Sequence, residues 1–308
     1  MTIKHIVLSG GGPSGIQTLG TIQHLEECGV WNIENIKSIY ATSSGAIISL
    51  LIALKFDWDT INDYIILRPW HETYKINVQH ILDSYTKKGL LDYDSIETFY
   101  KPFFNAKDIP LNITMKEFYE YSNIELHFFS LEINSFDVVD INYMSYPDIP
   151  VIKSVLMSCA IPIIFCPVCI EDKCFVDGGF KTNYPLENCI EINKEKDEIL
   201  GIKNDFIDEE KPEIRNESTM LEFVIHISNK FMNSILIKIN PNISIENEVI
   251  CKTKHVSLTF IKEVIFSSDI RKSLLEDGIQ IAKDYISNKK EKEKEKEKEK
   301  EKEKEKEN

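Results

Sequence analysis

Two short apolar segments near the start of the chain each lead directly into a turn of small residues and then into a helical pattern. The first runs from Ile3 to Leu8 and continues into Ser9-Gly-Gly-Gly-Pro-Ser-Gly15. The second runs from Ile36 to Ala41 and continues into Thr42-Ser-Ser-Gly45. Two strand–turn–helix units in succession predict a parallel sheet that is covered by helices on both faces.

Composition is that of a globular protein with an acidic surface. Of the 308 residues 43% are hydrophobic, which is enough for a sizeable core. The formal net charge is -14. The terminal Glu/Lys tract contributes +1, so the excess of acidic residues lies in the rest of the chain. A surface this acidic argues against nucleic acid as a partner and against strongly anionic membranes.

The cysteines and the apolar segments indicate the cellular location of the protein. Seven cysteines are an odd number, and Cys166, Cys169 and Cys174 lack a second pair at metal-ligand spacing. We therefore expect buried, reduced thiols and neither a zinc site nor a disulfide framework. No signal peptide is recognised, and the apolar run from Ala46 to Leu54 is too short to span a bilayer. The expected location is intracellular, in the cytoplasm or at the periphery of membranes.

The glycines between Gly10 and Gly15 bring bare backbone close to a ligand or a reacting group. A dinucleotide site would need an acidic residue at the tip of the second strand, which instead ends in Tyr40-Ala-Thr-Ser-Ser-Gly45. No Lys-Ser/Thr pair closes the run, so a Walker loop is excluded. The N–H groups of Gly11 and Gly12 are instead suited to hold an oxyanion beside the second turn.

Ser43 is the candidate nucleophile of that second turn. Small residues two positions before and after a serine let a strand-to-helix turn tighten, and here they are Ala41 and Gly45. The competing interpretation makes Ser43 and Ser44 ordinary N-caps of the following helix. The candidate base is Asp177 in Phe175-Val-Asp-Gly-Gly179, although an Asp-Gly pair alone is more often a plain turn.

Taken together, these motifs resemble the patatin-like phospholipases, a family of lipid acyl hydrolases. The glycine-rich loop, the serine turn and Asp177-Gly-Gly179 occur in the family's order. The segment from Ser158 to Val168 resembles the stretch that precedes the family's aspartate, and Asn183 and Pro185 follow at the family's spacing. Two positions depart from the pattern: Ala41 replaces a glycine, and Ser14 stands where Lys or Arg is frequent.

The resemblance implies an α/β protein with a three-layer α/β/α patatin-like fold, a central mostly parallel sheet and a nucleophile elbow. It implies a dyad in which Ser43 attacks and Asp177 accepts the proton, with no metal and no cofactor. The oxyanion hole would be formed by Gly10, Gly11 and Gly12. Supporting positions of the motifs are Gly15, Ala41, Gly45, Gly178 and Gly179. The expected partner is a lipid substrate at a membrane or micelle surface.

Three alternatives stay open. A catalytically weak or inactive relative would bind lipid without cleaving it, which the changes at Ser14 and Ala41 motivate. An interaction protein would use the acidic surface and the Glu/Lys tract to recruit basic partners. His226 and His255 follow Asp177 in the chain order of a Ser-Asp-His triad, but their apolar neighbours favour structural roles.

The motifs define the expected domain organisation. A catalytic domain covers residues 3–193, and residues 194–288 form an extension that packs on the same domain. Within that extension we expect a mobile loop at 203–217, since it is polar and acidic and contains Pro212. The alternating Glu/Lys tract at 289–308 has nothing to bury and is expected to be disordered.

Overall fold

A computed structural model describes residues 2–74, 78–206, 213–236 and 243–307. The strands are β1 (His5–Leu8), β2 (Ser38–Thr42), β3 (Gly89–Leu91), β4 (Glu125–Glu132), β5 (Asp137–Ile141), β6 (Ile163–Phe165), β7 (Val168–Ile170), β8 (Lys173–Asp177), β9 (Ile199–Phe206) and β10 (Glu248–Thr253). The helices are α1 (Gly15–Glu27), α2 (Ser44–Ala53), α3 (Trp58–Leu67), α4 (Trp70–Thr73), α5 (Val78–Lys87), α6 (Tyr93–Ala106), α7 (Met115–Ser122), α8 (Val151–Cys159), α9 (Leu186–Asn193), α10 (Met220–Leu236), α11 (Leu258–Phe266) and α12 (Ser268–Glu307).

The central sheet is mostly parallel, as the two strand–turn–helix units predict. Its strands follow the order β10-β9-β1-β2-β4-β8-β7, and β5 pairs with β4. All neighbours from β10 to β4 are parallel, whereas β5, β8 and β7 are joined antiparallel. Leu8 pairs with Ala41 at the carboxyl ends of β1 and β2. The glycine-rich loop and the serine turn therefore leave the sheet at the same level.

Both faces of the sheet are covered, which confirms the three-layer α/β/α arrangement. Successive residues of one strand point to opposite faces. Ile6 and Leu8 belong to the large buried cluster that includes α1, α2 and α8, while Val7 belongs to a smaller cluster with Leu186 and Cys189 of α9. Residues beyond 193 contribute β9 and β10 to this sheet, and α12 packs along α1.

Strand β4 pairs with both β2 and β8 along the same edge, where the two strands lie end to end. Its residues 128–132 pair with β5, so β5 occupies one edge over that length. The other edge pairs with β2 as far as Phe129, which lies opposite Thr42. From the next residue onward it pairs with β8, where Ser130 lies opposite Asp177. The residue after β2 and the last residue of β8 are therefore brought together.

Two parts of the carboxyl-terminal region differ from the sequence expectation. Lys203 to Phe206 belong to β9 and not to a mobile loop, because their backbone pairs with β10; residues 207–212 lie outside the described part. The Glu/Lys tract was expected to be disordered, but α12 continues through it to Glu307. Glu and Lys are both good helix formers, so the tract extends a helix that is already formed.

The expectation that all cysteines are reduced is also wrong. Cys169 and Cys174 form a disulfide, and their Cα atoms are 4.1 Å apart. The two residues lie directly opposite each other in the hairpin of β7 and β8, a pairing that spacing alone does not reveal. Cys28, Cys159, Cys166, Cys189 and Cys251 are free thiols.

None of the helices in the described ranges is both long enough and apolar enough to cross a membrane.

The contact between α1 and α12 depends on glycines where the helix backbones cross, and it provides a test of the packing. A Cβ atom added at Gly278 would overlap the carbonyl oxygen of Gln17. We expect Gly278→Ala to lower the free energy of unfolding by about 1–3 kcal/mol because the helices must separate. Ser273→Ala, at an exposed position of α12, should change it by less than about 0.5 kcal/mol. Urea denaturation measures both, and a stabilised Gly278→Ala variant would contradict the crossing.

Candidate active site

Ser43 occupies a strained turn between β2 and α2. Its φ of 55° and ψ of -125° lie in a region that residues other than glycine rarely adopt. Its N–H donates to Ser158 Oγ at 3.1 Å, and Ser158 in turn donates to the carbonyl of Phe129 at 2.6 Å. The Ser43 side chain makes no capping hydrogen bond to α2. Ser43 thus occupies the N-cap position of α2 without capping the helix through its side chain, and its hydroxyl is not used there.

Close backbone approaches explain the small residues around this turn. A Cβ atom at Gly45 would lie 2.6 Å from the Leu8 carbonyl oxygen, so α2 begins directly against the end of β1. A Cβ atom at Gly15 would lie 2.9 Å from Cβ of Ser44. Ala41 is fully buried in β2, and its methyl group packs within the core cluster. The sheet therefore accommodates Ala41 where the resembling family usually has glycine.

Asp177 is the last residue of β8 and is buried beside Ser43. One carboxylate oxygen, Oδ1, accepts the N–H of Gly179 at 2.7 Å. The other, Oδ2, is buried without a partner of hydrogen-bond geometry among the described residues. The Ser43 hydroxyl still lies near enough to favour the ionised carboxylate, and a modest movement of one side chain would complete a hydrogen bond. Gly178 is required because a side chain there would overlap the Phe129 carbonyl.

Burial raises the pKa of Asp177 to about 6, although the Ser43 hydroxyl and the Gly179 N–H both oppose the rise. Desolvation disfavours the charged form of a carboxyl group. A carboxylate whose pKa lies near neutrality is a stronger base than one at its ordinary value, yet it is still ionised at pH 7. The site therefore supplies what a serine hydroxyl needs from a carboxylate base.

The three glycines of the first loop differ in what their N–H groups do. Gly10 donates to the carbonyl of Asn183 at 2.9 Å, so this amide is not available to an oxyanion. Gly11 donates to Ser44 Oγ at 3.0 Å, a partner that can rotate away. Gly12 has a φ of 55°, and no hydrogen bond from its N–H is found within the described ranges. Of the predicted donors, Gly11 and Gly12 line the cavity that contains Ser43 and Asp177.

Several polar residues that hold this arrangement were not identified from the sequence. Asn183 and Asn204 both donate to the Gly10 carbonyl, at 3.1 and 3.3 Å. The Asn204 backbone N–H donates to Ser9 Oγ at 2.7 Å, which fixes the loop to β9. In the sequence, Asn183 and Ser158 stand out only as parts of longer motifs. Asn204 lies in a strand that the sequence did not predict, so no local signal pointed to it.

The two histidines occupy different places. His255 lines the same cavity as Ser43 and Asp177, and its ring stacks on Phe206 with a centroid distance of 5.2 Å. His226 lies half-buried on α10 and does not line this cavity. The structure thus places one of the two alternative bases near the candidate nucleophile.

Two cavities meet at Ser43. The smaller has a volume of about 30 Å³ and contains Asp177, Gly11, Gly12 and His255. The larger, of about 280 Å³, extends from Ser43 between α1, α2, α8 and α11 and is lined almost entirely by aliphatic and aromatic side chains. Arg271 also borders it, but its guanidinium is occupied by backbone carbonyls, including those of Ile66 and Val264. The arrangement presents a nucleophile at the entrance of an apolar chamber.

Among the described residues, no group of three or more His, Cys, Asp or Glu side chains is placed to hold a metal ion.

The raised pKa of Asp177 leads to a prediction about the reactivity of Ser43. Only the ionised carboxylate accepts the serine proton, so the rate at which a fluorophosphonate probe labels Ser43 should fall about tenfold per pH unit below pH 6 and level off above it. Labelling rates measured from pH 4.5 to 8.5 give the profile.

Asp177→Asn serves as the control for this profile, because it keeps the shape of the side chain and removes the titration. Its labelling should be slow and independent of pH over the same range. A wild-type profile that is flat between pH 4.5 and 8.5 would show that Asp177 does not activate Ser43.

Comparison with known proteins finds a family model, relatives of similar sequence and solved structures that align with this chain. The family model described as patatin-like phospholipase matches residues 6–190. "Probable lipid hydrolase 463L" of Invertebrate iridescent virus 6 is 28% identical over 195 residues, which is 63% of this chain and 65% of that protein. "Uncharacterized protein R571" of Acanthamoeba polyphaga mimivirus is 27% identical over 270 residues, or 79% of this chain and 85% of the relative. The match thus spans just under two thirds of the first relative. Among solved structures, VipD from Legionella pneumophila aligns with a TM-score of 0.48 at 17% identity, over 90% of this chain and 67% of its own.

Proposed function

The chain belongs to the patatin-like phospholipase family, and on that premise we propose that it is a serine hydrolase that cleaves acyl ester bonds of phospholipids or neutral lipids. The observation that carries the proposal is the meeting of three features at one point. Ser43, which has a strained backbone and makes no capping hydrogen bond through its side chain, shares one cavity with the buried carboxylate of Asp177. The apolar cavity begins at the same serine.

The chemistry follows from the roles of the side chains. Asp177 accepts the proton of the Ser43 hydroxyl as Ser43 Oγ attacks the ester carbonyl carbon. The tetrahedral intermediate then expels the alcohol, which takes the proton from Asp177, and leaves an acyl group on Ser43. Water then loses a proton to Asp177 and attacks the acyl carbon. The second tetrahedral intermediate breaks its bond to Ser43 Oγ, which takes the proton back from Asp177, and the fatty acid is released. No further acid or base is needed for the proton balance.

The oxyanion of each tetrahedral intermediate is assigned to the N–H groups of Gly11 and Gly12. Gly11 becomes available when Ser44 Oγ rotates away, whereas the amide of Gly10 stays bound to Asn183. We therefore assign Gly10 to close packing, since a Cβ atom there would lie 2.9 Å from Cβ of Ser43. Loss of one oxyanion donor typically costs about 3 kcal/mol of transition-state stabilisation.

The larger cavity is suited to the acyl chain of the substrate. Apolar surface gains free energy on leaving water, at roughly 0.8 kcal/mol per methylene group buried. The polar side chains that border the cavity use their donors elsewhere: Trp70 Nε1 bonds to the Ile65 carbonyl and the Tyr74 hydroxyl to the Ser95 carbonyl. A fatty acyl chain therefore meets no unsatisfied polar group there.

Substitution of the proposed dyad tests the function directly. We expect Ser43→Ala to abolish hydrolysis of a phosphatidylcholine and of a soluble p-nitrophenyl ester. Asp177→Asn should lower kcat by roughly 10³-fold or more, because the serine then lacks its base. His255→Ala, a neighbouring cavity residue, should lower kcat less than about tenfold. Circular dichroism verifies that each variant is folded.

Two outcomes would change the assignment. If His255→Ala removed as much activity as Asp177→Asn, the site would be a triad and not a dyad. If the folded wild-type protein neither hydrolysed esters nor reacted with a fluorophosphonate, it would be a lipid-binding relative without activity. The occupied N–H of Gly11 is the feature that favours this second candidate, since it is not yet free to receive an oxyanion.

The size of the apolar cavity predicts the chain-length preference. A cavity of 150 Å³ accommodates benzene, so the 280 Å³ cavity should hold an acyl chain of about ten to twelve carbons. We expect kcat/KM for p-nitrophenyl esters to rise up to that length and then stop rising. Ile48→Phe narrows the cavity and should move the break to shorter chains. The ratio of long-chain to short-chain kcat/KM measures this without reference to the active fraction, and an unchanged ratio would mean that the chain lies elsewhere.

A further inference from the structure

Helix α10 exposes a row of large apolar side chains. Met220, Phe223, Ile227 and Phe231 are spaced three or four residues apart and share one helical face, and they are 75%, 45%, 39% and 59% exposed. In a soluble protein, apolar side chains at this spacing normally face the core. Contiguous exposed apolar surface instead marks a site that contacts something else.

The opposite face of α10 contacts the candidate active site. Ile225 and Ser228 are buried, and Asn229 donates to the Val256 carbonyl at 2.6 Å. Asn229 also lines the small cavity that contains Ser43 and Asp177. The helix further packs against the turn Gly178–Phe180, which directly follows the aspartate. Thus α10 covers the dyad with one face and presents apolar side chains with the other.

The small cavity has too little space for a substrate headgroup while α10 is in this position. Its volume is about 30 Å³, enough for roughly one or two water molecules. A lipid ester whose acyl chain enters the larger cavity must still place its alcohol portion on the Asp177 side of Ser43. Displacement of α10 would provide that space.

The charges around the row indicate which surface it fits. The four exposed apolar residues share their face with one exposed ionisable side chain, Lys230, which lies one turn after Ile227. The nearby Glu222 is bound by Thr219 in the first turn of the helix. The charge of Glu222 is offset by the nearby Lys262, while the whole chain carries -14. An anionic surface would therefore repel the protein, and apolar insertion remains as the source of affinity.

We propose that the row formed by Met220, Phe223, Ile227 and Phe231 docks α10 into an uncharged or zwitterionic lipid surface, directly over the candidate active site. Insertion removes these side chains from water, and the free energy gained favours displacement of α10 from its position above the dyad. The proposal deepens the proposed function because it specifies where the substrate surface binds. Docking itself does not require turnover and can be measured separately.

The experiment uses the full chain carrying Ser43→Ala, so that no lipid is consumed. Flotation with phosphatidylcholine vesicles at 50 and 500 mM salt measures binding. We expect binding that is independent of salt, since charge contributes little. Adding Phe223→Ser and Ile227→Ser should weaken it roughly tenfold or more by removing inserted apolar surface. The matched control adds Met144→Ser and Ile250→Ser, which replace exposed apolar residues elsewhere and should leave binding unchanged.

Each other outcome overturns the proposal. Absence of vesicle binding in the folded protein would do so, as would equal losses in the two double variants. Binding confined to phosphatidylglycerol vesicles and lost at 500 mM salt would indicate an electrostatic site instead. Concentration-dependent dimerisation that Phe223→Ser and Ile227→Ser abolish would assign the row to a second copy of the chain. Because the protein is inert, none of these results depends on whether the hydrolase assignment is correct.

Discussion

The candidate site depends on one feature of β-pairing: a single edge of β4 is shared by two strands that lie end to end. Thr42 pairs with Phe129 and Asp177 pairs with the next residue, Ser130. Neighbouring strands in a sheet lie about 4.8 Å apart and residues along a strand about 3.3 Å apart. This register therefore places Ser43 and Asp177 next to each other. Ser158 strengthens the junction, since its hydroxyl connects the Ser43 N–H to the Phe129 carbonyl.

The same junction explains the electrostatics of the site. Its position under α10 and inside the sheet removes Asp177 from water, which raises the pKa of its carboxyl group to about 6 from an ordinary value of 3.8. The contribution of Asp177 to the free energy of unfolding is fully present below pH 3.8, where the carboxyl group is protonated in both states, and it is lost as the pH rises through 6. At higher pH the folded protein holds an ionised carboxylate that the unfolded chain solvates better. The cost at neutral pH is about 3 kcal/mol. In the proposed dyad, this loss of stability accompanies the higher basicity of the Asp177 carboxylate.

A second trade-off concerns the covering of the site. The apolar chamber and the buried carboxylate both require exclusion of water, yet the proposed substrate, a lipid ester, has to enter. A helix with one face on the small cavity and an exposed apolar face reconciles these demands, provided that a lipid surface can replace water as its outer environment. The glycine loop shows a smaller version of the same principle. The Gly11 N–H donates to Ser44 Oγ in this structure, and in the proposed mechanism it would donate to the oxyanion instead.

The sequence by itself determined the mostly parallel sheet and the two turns, because apolar periodicity and small residues at sharp turns are local signals. The pairing of Ser43 with Asp177 was implied only by the resemblance to the patatin-like phospholipases. The small residues Ala41 and Gly45, two positions on either side, identify Ser43 as the candidate nucleophile. The sequence could not show that the Gly10 amide is bound to Asn183, that Asn204 secures the glycine loop, or that Cys169 and Cys174 face each other across a hairpin. It also could not show that the apolar residues of α10 point outward. Only the tertiary structure decided these points, since each depends on pairing between segments distant in the chain, and pairing follows from the packing of the whole sheet and its helices.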